Sequence, residues 1–335
     1  MIGGTEDGTA GSVERVRETV RIGRFRVGVE TDDPRISRAI LSSLDIDAMS
    51  ACGPCDRAAR TVSLRLDRLD DPGTVRLPRS EPAATFENVE IFVDERGSTL
   101  SVDRESVVRI DPSGQFARGF VSAAHIEKPW IVAHRIFTLA AIELLRGHGA
   151  HYIHAGCVCA GERGLLITGG SGAGKSTLTY ALARSGLTFL SDDGVFLDRE
   201  RSRLYATAFP ERIKLDATSL SFFKELSDVE CRTGKRELRL AETGVRAATC
   251  HGCPEAILFP VRSERAASRL REIPRQDAFA KLLSQSIATL DRGRVEAQMD
   301  LIDTLVHSCT CFEIETARDF DAIPGLVGDV TGVRA

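Results

Sequence analysis

Gly169-Gly170-Ser171-Gly172-Ala173-Gly174-Lys175-Ser176 meets the spacing G-x-x-x-x-G-K-[ST], with a lysine and a hydroxyl at fixed offsets after a run of glycines. Several backbone N–H groups must converge on one phosphate chain from a tight loop, and glycine tolerates the positive φ that this requires. An apolar run, Leu165-Leu166-Ile167, leads in as a buried strand. Beyond the loop Leu178, Ala181 and Leu182 fall at helical spacing, and Gly186 stands where a helix ends. The order strand, loop, helix aims the partial positive charge of a helix N-terminus at the anion. The expected phosphate-binding set runs from Gly169 through Thr177: loop amides, Lys175 on the β- and γ-phosphates of ATP, and the Ser176 hydroxyl on Mg²⁺. A bare glycine turn is the plainer reading, but it has no need of that lysine and hydroxyl.

The next feature selects the kind of nucleotide chemistry. Thr188-Phe189-Leu190-Ser191 reads as a short strand ending in Asp192-Asp193, the first strand after the loop helix. Two adjacent carboxylates there can divide the work, one holding Mg²⁺ and the other taking a proton from an attacking hydroxyl. An Asp-Asp-Gly turn is the alternative. Further on, Arg212 and Lys214 in Phe209-Pro210-Glu211-Arg212-Ile213-Lys214 are candidates to compensate charge on a transferring phosphoryl group, with solvated surface charge as the competing account. His154, on an expected strand from Tyr152 to Cys159, is on its own residues a structural histidine as readily as a catalyst.

Taken together, these segments resemble the kinase domain of HPr kinase/phosphorylase and its relatives, whose nucleotide-binding core is shared with phosphoenolpyruvate carboxykinase. The resemblance rests on His154-Ala155-Gly156-Cys157-Val158, on the loop itself, on Leu190-Ser191-Asp192-Asp193 and on residues 209 to 215, and it spans roughly residues 125 to 315. It implies Asp192 as general base, His154 as its neighbour near the reacting phosphate, Lys175 on the phosphates, and Asp193 with Ser176 as metal ligands. A segment like E-x-R-G-x-G downstream of the aspartates is missing, so the resemblance points to related kinases rather than to a bifunctional enzyme with phosphorylase activity. The implied reaction is ATP-dependent transfer of a phosphoryl group to a hydroxyl, of a serine in a peptide or protein or of a small hydroxylated metabolite such as free serine or a sugar. A non-transferring ATP sensor is the reading from another class. No L-S-G-G-Q segment supports a transport ATPase.

The implied fold is α/β: a P-loop kinase core of the HPr kinase C-terminal type, at residues 126–320, with a smaller α+β region at 21–125. Residues 1–20 read as a disordered leader and 321–335 as a tail that frays from Gly325 to Ala335. The 335 residues carry 44 basic and 48 acidic side chains, for a net charge of −4, which gives no reason to expect nucleic acid or an anionic membrane as partner. The leader has no apolar core to make a signal peptide, and the stretch Trp130 to Leu145 includes His134, Arg135 and Glu143, so a cytoplasmic location is expected. A homo-oligomer is compatible with all of this. Of nine cysteines, Cys52/Cys55 and Cys250/Cys253 form C-x-x-C pairs that could share a zinc, with reduced thiols of incidental spacing as the alternative, while Cys157, Cys159, Cys309 and Cys311 read as small core residues.

Elsewhere, the alternating run RIGRFRVGVE reads as one strand from Arg21 to Glu30, followed by a helix from Arg35 to Leu44 opened by Asp33-Pro34. Short strands are expected at 62–66, 89–93, 100–102 and 107–110, and a long helix up to Gly147. Residues 224–246, densely charged, read as a solvated excursion or a mobile substrate loop. Two amphipathic helices close the chain, the second with Val295, Met299, Ile302 and Leu305 on its core face, before a last strand at Cys311-Phe312-Glu313-Ile314.

Overall fold

The computed structural model describes residues 14–45, 59–209, 211–231, 234–246, 251–286 and 292–334. It is a mixed α/β fold built on two large sheets and one two-stranded sheet. The first sheet holds eight strands in the order β1 (Val16–Ile22), β2 (Phe25–Thr31), β3 (Arg60–Leu69), β8 (Phe116–Ser122), β7 (Ser106–Ile110), β6 (Gly97–Val102), β5 (Val89–Asp94) and β4 (Ala84–Phe86). The expected strand from Arg21 to Glu30 is in fact the two arms of a hairpin turning at Gly23-Arg24, with Ile22 opposite Phe25. β1 also begins inside the expected leader.

Helix α1 (Pro34–Ser43) is capped by Asp33, whose side chain accepts from Arg35 N. The long helix is present too, as a π-helical stretch Ile131–Phe137 continuing into α2 (Thr138–Arg146). Its apolar face belongs to the core of the first sheet: Val132, Phe137 and Leu144 are buried among Phe25, Leu64 and Val121.

The second sheet carries the glycine loop. Its path is β12 (Thr188–Ser191), β10 (Ala155–Ala160), β11 (Arg163–Thr168), β17 (His251–Arg262), β14 (Arg203–Ala208), β13 (Val195–Glu200) and β9 (His151–Ile153), with β19 (Thr310–Thr316) paired to β17 and β18 (Arg269–Glu272) to β19. The expected strand through His154 is thus split in two, β9 pairing with β13 and β10 with β11 and β12, so His154 falls at the break.

Alternate residues of the central strands enter different cores, which explains why Leu165-Leu166-Ile167 is apolar without interruption. Leu165 and Ile167 face the loop helix α3 (Lys175–Arg184) through Leu178 and Leu182, while Leu166 joins Cys157, Cys159, Cys309, Cys311 and Ile302 on the other side. Those four cysteines are free and buried, as expected of core residues. Cys52, Cys55 and Cys250 lie outside the described residues.

Two further expectations give way. In α6 (Arg292–Ser308) the buried face is Leu301, Ile302, Leu305 and Val306, and Met299 is 41% exposed. The helix before it, α5 (Arg275–Leu283), buries Ala278 and Leu282. The chain end does not fray from Gly325: it forms α7 (Ile323–Thr331), with Val327 and Val333 buried in the core under α3. Among the described residues, no helix is long and apolar enough to cross a membrane.

Candidate functional site

The loop residues after β11 take the conformations that glycine makes cheap. Gly172 and Gly174 have φ of 76° and 100°, and Gly174 caps α3, its carbonyl accepting from Leu178 N at 2.9 Å. The N–H groups in the first turn of α3 are those a helix cannot pair internally. Lys175 folds over the loop, donating from Nζ to Gly169 O at 2.8 Å and Gly170 O at 3.2 Å. Burial lowers its ammonium below the usual value, with Asp193 offsetting part of the effect.

A cleft of about 480 Å³ opens above this loop. Its lining brings Ser171, Gly172, Gly174, Lys175, Ser176 and Thr177 together with His154, Asp193 and Lys214. The turn that carries Asp193 is pinned by Ser191, whose Oγ donates to Gly194 O at 2.8 Å and accepts from Gly194 N at 3.2 Å. Gly194 is obligatory for another reason: a Cβ there would sit 2.1 Å from the Tyr152 hydroxyl.

The two aspartates have different surroundings. Asp193 points into the cleft, with Oδ1 3.0 Å from His154 Nδ1 and Oδ2 accepting from Lys214 Nζ at 3.0 Å. Burial would raise its pKa, but hydrogen bonds from His154 and the charge of Lys214 outweigh this and hold the carboxyl well below the usual range. Asp192 is 1% exposed and does not line the cleft. Its Oδ2 accepts from Lys214 N at 2.9 Å and its Oδ1, also buried, has no hydrogen-bond partner. Burial, with Asp193 beside it, pushes this carboxyl up to about 6. Of the pair, Asp193 is therefore the one open to the cleft, whereas Asp192, the general base implied by the resemblance, is buried behind its wall.

His154 Nδ1 also lies 2.6 Å from the Asp193 carbonyl, which only accepts, so Nδ1 donates there and Nε2 is the ring nitrogen left for another partner. Lys214, from β15 (Ile213–Asp216), bonds Glu211 Oε2 at 2.9 Å as well. Burial would lower its pKa, but the two carboxylates prevail and raise it.

Arg212 goes elsewhere. Its guanidinium donates to Ser42 O at 2.6 Å, at the end of α1, so its expected role on a phosphoryl group has no support in its position. Two other cations line the cleft: Lys235, from β16 (Lys235–Leu238), and Arg262, at the end of β17. Within the charged excursion at 224–246, Lys235–Leu238 thus pairs as a strand with β15 and delivers a lysine to the cleft. No local pattern marks Arg262, which the parallel pairing of β11 with β17 brings near the loop.

Among the described residues, no group of three or more His, Cys, Asp or Glu side chains could hold a metal ion. A magnesium ion does not need one, because it takes most of its oxygens from phosphate and water. Ser176 and Asp193 offer hard oxygen donors in the same cleft, so the donor set fits that ion.

No family model and no curated protein matches the chain. A solved structure that it is similar to is the HPr(Ser) kinase/phosphatase from Coxiella burnetii, 15% identical over 53% of this chain and 94% of that one, with a TM-score of 0.32. A likeness at that score carries no argument.

Proposed function

We propose that the protein is an ATP-dependent phosphotransferase whose acceptor is an alcohol, on a peptide, a protein or a small hydroxylated metabolite. One observation carries the reading: the loop with Lys175 and Ser176 and the group His154, Asp193 and Lys214 line one and the same cleft. The loop amides and Lys175 hold the phosphates, and Lys214, Lys235 and Arg262 add positive charge around them. Ser176 and Asp193 would hold Mg²⁺, which when bound neutralises charge on the phosphate oxygens. Asp193 fixes the His154 ring, and Nε2 takes the proton of the incoming hydroxyl. Catalysis then rests on positioning and charge compensation, as phosphoryl transfer generally does.

Incubating the purified chain with Mg²⁺ and γ-labelled ATP, in the presence of peptide and metabolite pools, tests this. Label should move to a hydroxylated acceptor, and His154→Ala should slow the transfer at least about a hundredfold while ATP still binds. Label appearing only as free phosphate would reject transfer. The burial of Asp192 favours a second reading, a nucleotide-binding module that hydrolyses or senses ATP, and that outcome would select it.

A further inference from the structure

A second cavity, of about 680 Å³, adjoins the cleft and shares Gly174, Thr177, Ser219 and Arg262 with it. The chemistry changes from one cavity to the other. The first is walled by ammonium, guanidinium and carboxylate groups. The second has no carboxylate; it has two aromatic rings, Phe222 and Phe320, with centroids 4.9 Å apart and planes at 37°, hydroxyls at Thr218, Ser263 and Thr316, and the guanidinium of Arg318 beside the shared Arg262. Thr177 and Ser219, hydroxyl to hydroxyl at 2.7 Å, form the sill between the two.

We propose that the second cavity seats the nucleoside of the triphosphate, its base against Phe222 and Phe320 and its phosphates passing over Thr177 into the glycine loop. This rests on the reading of the loop as a phosphate site. A ligand filling both spaces must be anionic at one end and flat and weakly polar at the other, and a nucleotide has that form. Arg262, present in both cavities, stands where the phosphate nearest the sugar would pass. The acceptor has no place in the second cavity, because His154 and Asp193 line only the first. Aromatic rings are also the surfaces that bases of every kind stack on, so the seat is expected to hold the base by its face rather than its edge.

Calorimetric binding of ATP, inorganic triphosphate and adenosine to the full chain, all with Mg²⁺, tests the assignment. Wild type should bind ATP more tightly than triphosphate. Phe222 is only half-buried, so Phe222→Ala should fold and weaken ATP about 5- to 150-fold, the range for losing one base–aromatic stack, with triphosphate unchanged. Phe222→Leu, which keeps the volume and removes the ring face, should weaken ATP in the same sense. Equal wild-type affinities for ATP and triphosphate, or variants that weaken both alike or neither, would overturn the seat while leaving the phosphate site standing. Loss of acceptor transfer at unchanged ATP affinity would give the cavity to the acceptor instead. If wild type bound neither ATP nor triphosphate, the phosphate reading would fall and the nucleoside seat with it.

Discussion

His154 and Asp193 meet twice: the imidazole Nδ1 is 2.6 Å from the aspartate's own carbonyl and 3.0 Å from its carboxylate Oδ1. Backbone and side chain of one residue thus fix the ring plane of the other. Replacing His154 by alanine should lower the transfer rate about 10²- to 10⁴-fold, the usual worth of a general base, with ATP affinity unchanged. Rapid-quench transfer assays beside calorimetry separate the two quantities. A rate within a factor of two of wild type would remove His154 from the chemistry.

Asp192 and Asp193 should part company under mutation. Asn at 192 keeps an oxygen to accept from the Lys214 N–H and leaves the cleft wall intact, so Asp192→Asn should cost transfer less than tenfold. Asp193→Asn removes the charge that orders His154 and Lys214 and should cost at least a hundredfold. The opposite ranking in the same assay would restore Asp192 as the base.

His151 is 3% exposed, and burial, with Arg146 and Arg294 nearby, depresses its pKa to about 4. The unfolded chain takes up this proton near pH 6.5 and the folded chain does not until about pH 4, so stability is full above 6.5 and declines as pH falls between those values. The loss amounts to about 3 kcal/mol. Urea unfolding at pH 7.5 and 4.5 should show wild type losing more stability on acidification than His151→Gln. Equal losses would show that the imidazole is not kept neutral.

Arg24, in the turn of the first hairpin, bonds Asp198 of β13 at 2.8 Å with side-chain exposures of 7% and 2%. Truncating one member of a buried pair strands the other's charge, so Arg24→Met should destabilise the fold by about 3–5 kcal/mol. Adding Asp198→Asn should recover part of that, measured as coupling in a double-mutant cycle. Strict additivity of the two changes would show that the contact is not an energetic unit.

The site was legible in the sequence where it is local. A loop, its strand and its helix are written in consecutive residues, and so is the acidic pair after β12. Which aspartate faces the cleft was not, because a turn pinned by Ser191 decides it. Lys235 and Arg262 arrive through strand pairing far from the loop, and no spacing rule reaches them. The missed hairpin did leave a trace. Buried apolar residues fall at 20 and 22, then at 25, 27 and 29, and that change of phase at Gly23-Arg24 marks the turn. Met299 fails for a related reason: one apolar residue in a helical period does not say which flank of the stripe is covered.

The helix that runs into α2 has its greasy side inside the first sheet, although in the sequence it follows that sheet and leads straight to the nucleotide loop. Any fragment beginning near residue 126 would therefore carry Val132, Phe137 and Leu144 bare to water. Such a piece would be prone to clump instead of standing alone, so the first eight strands act as a built-in cover for the start of the segment that holds the glycine loop.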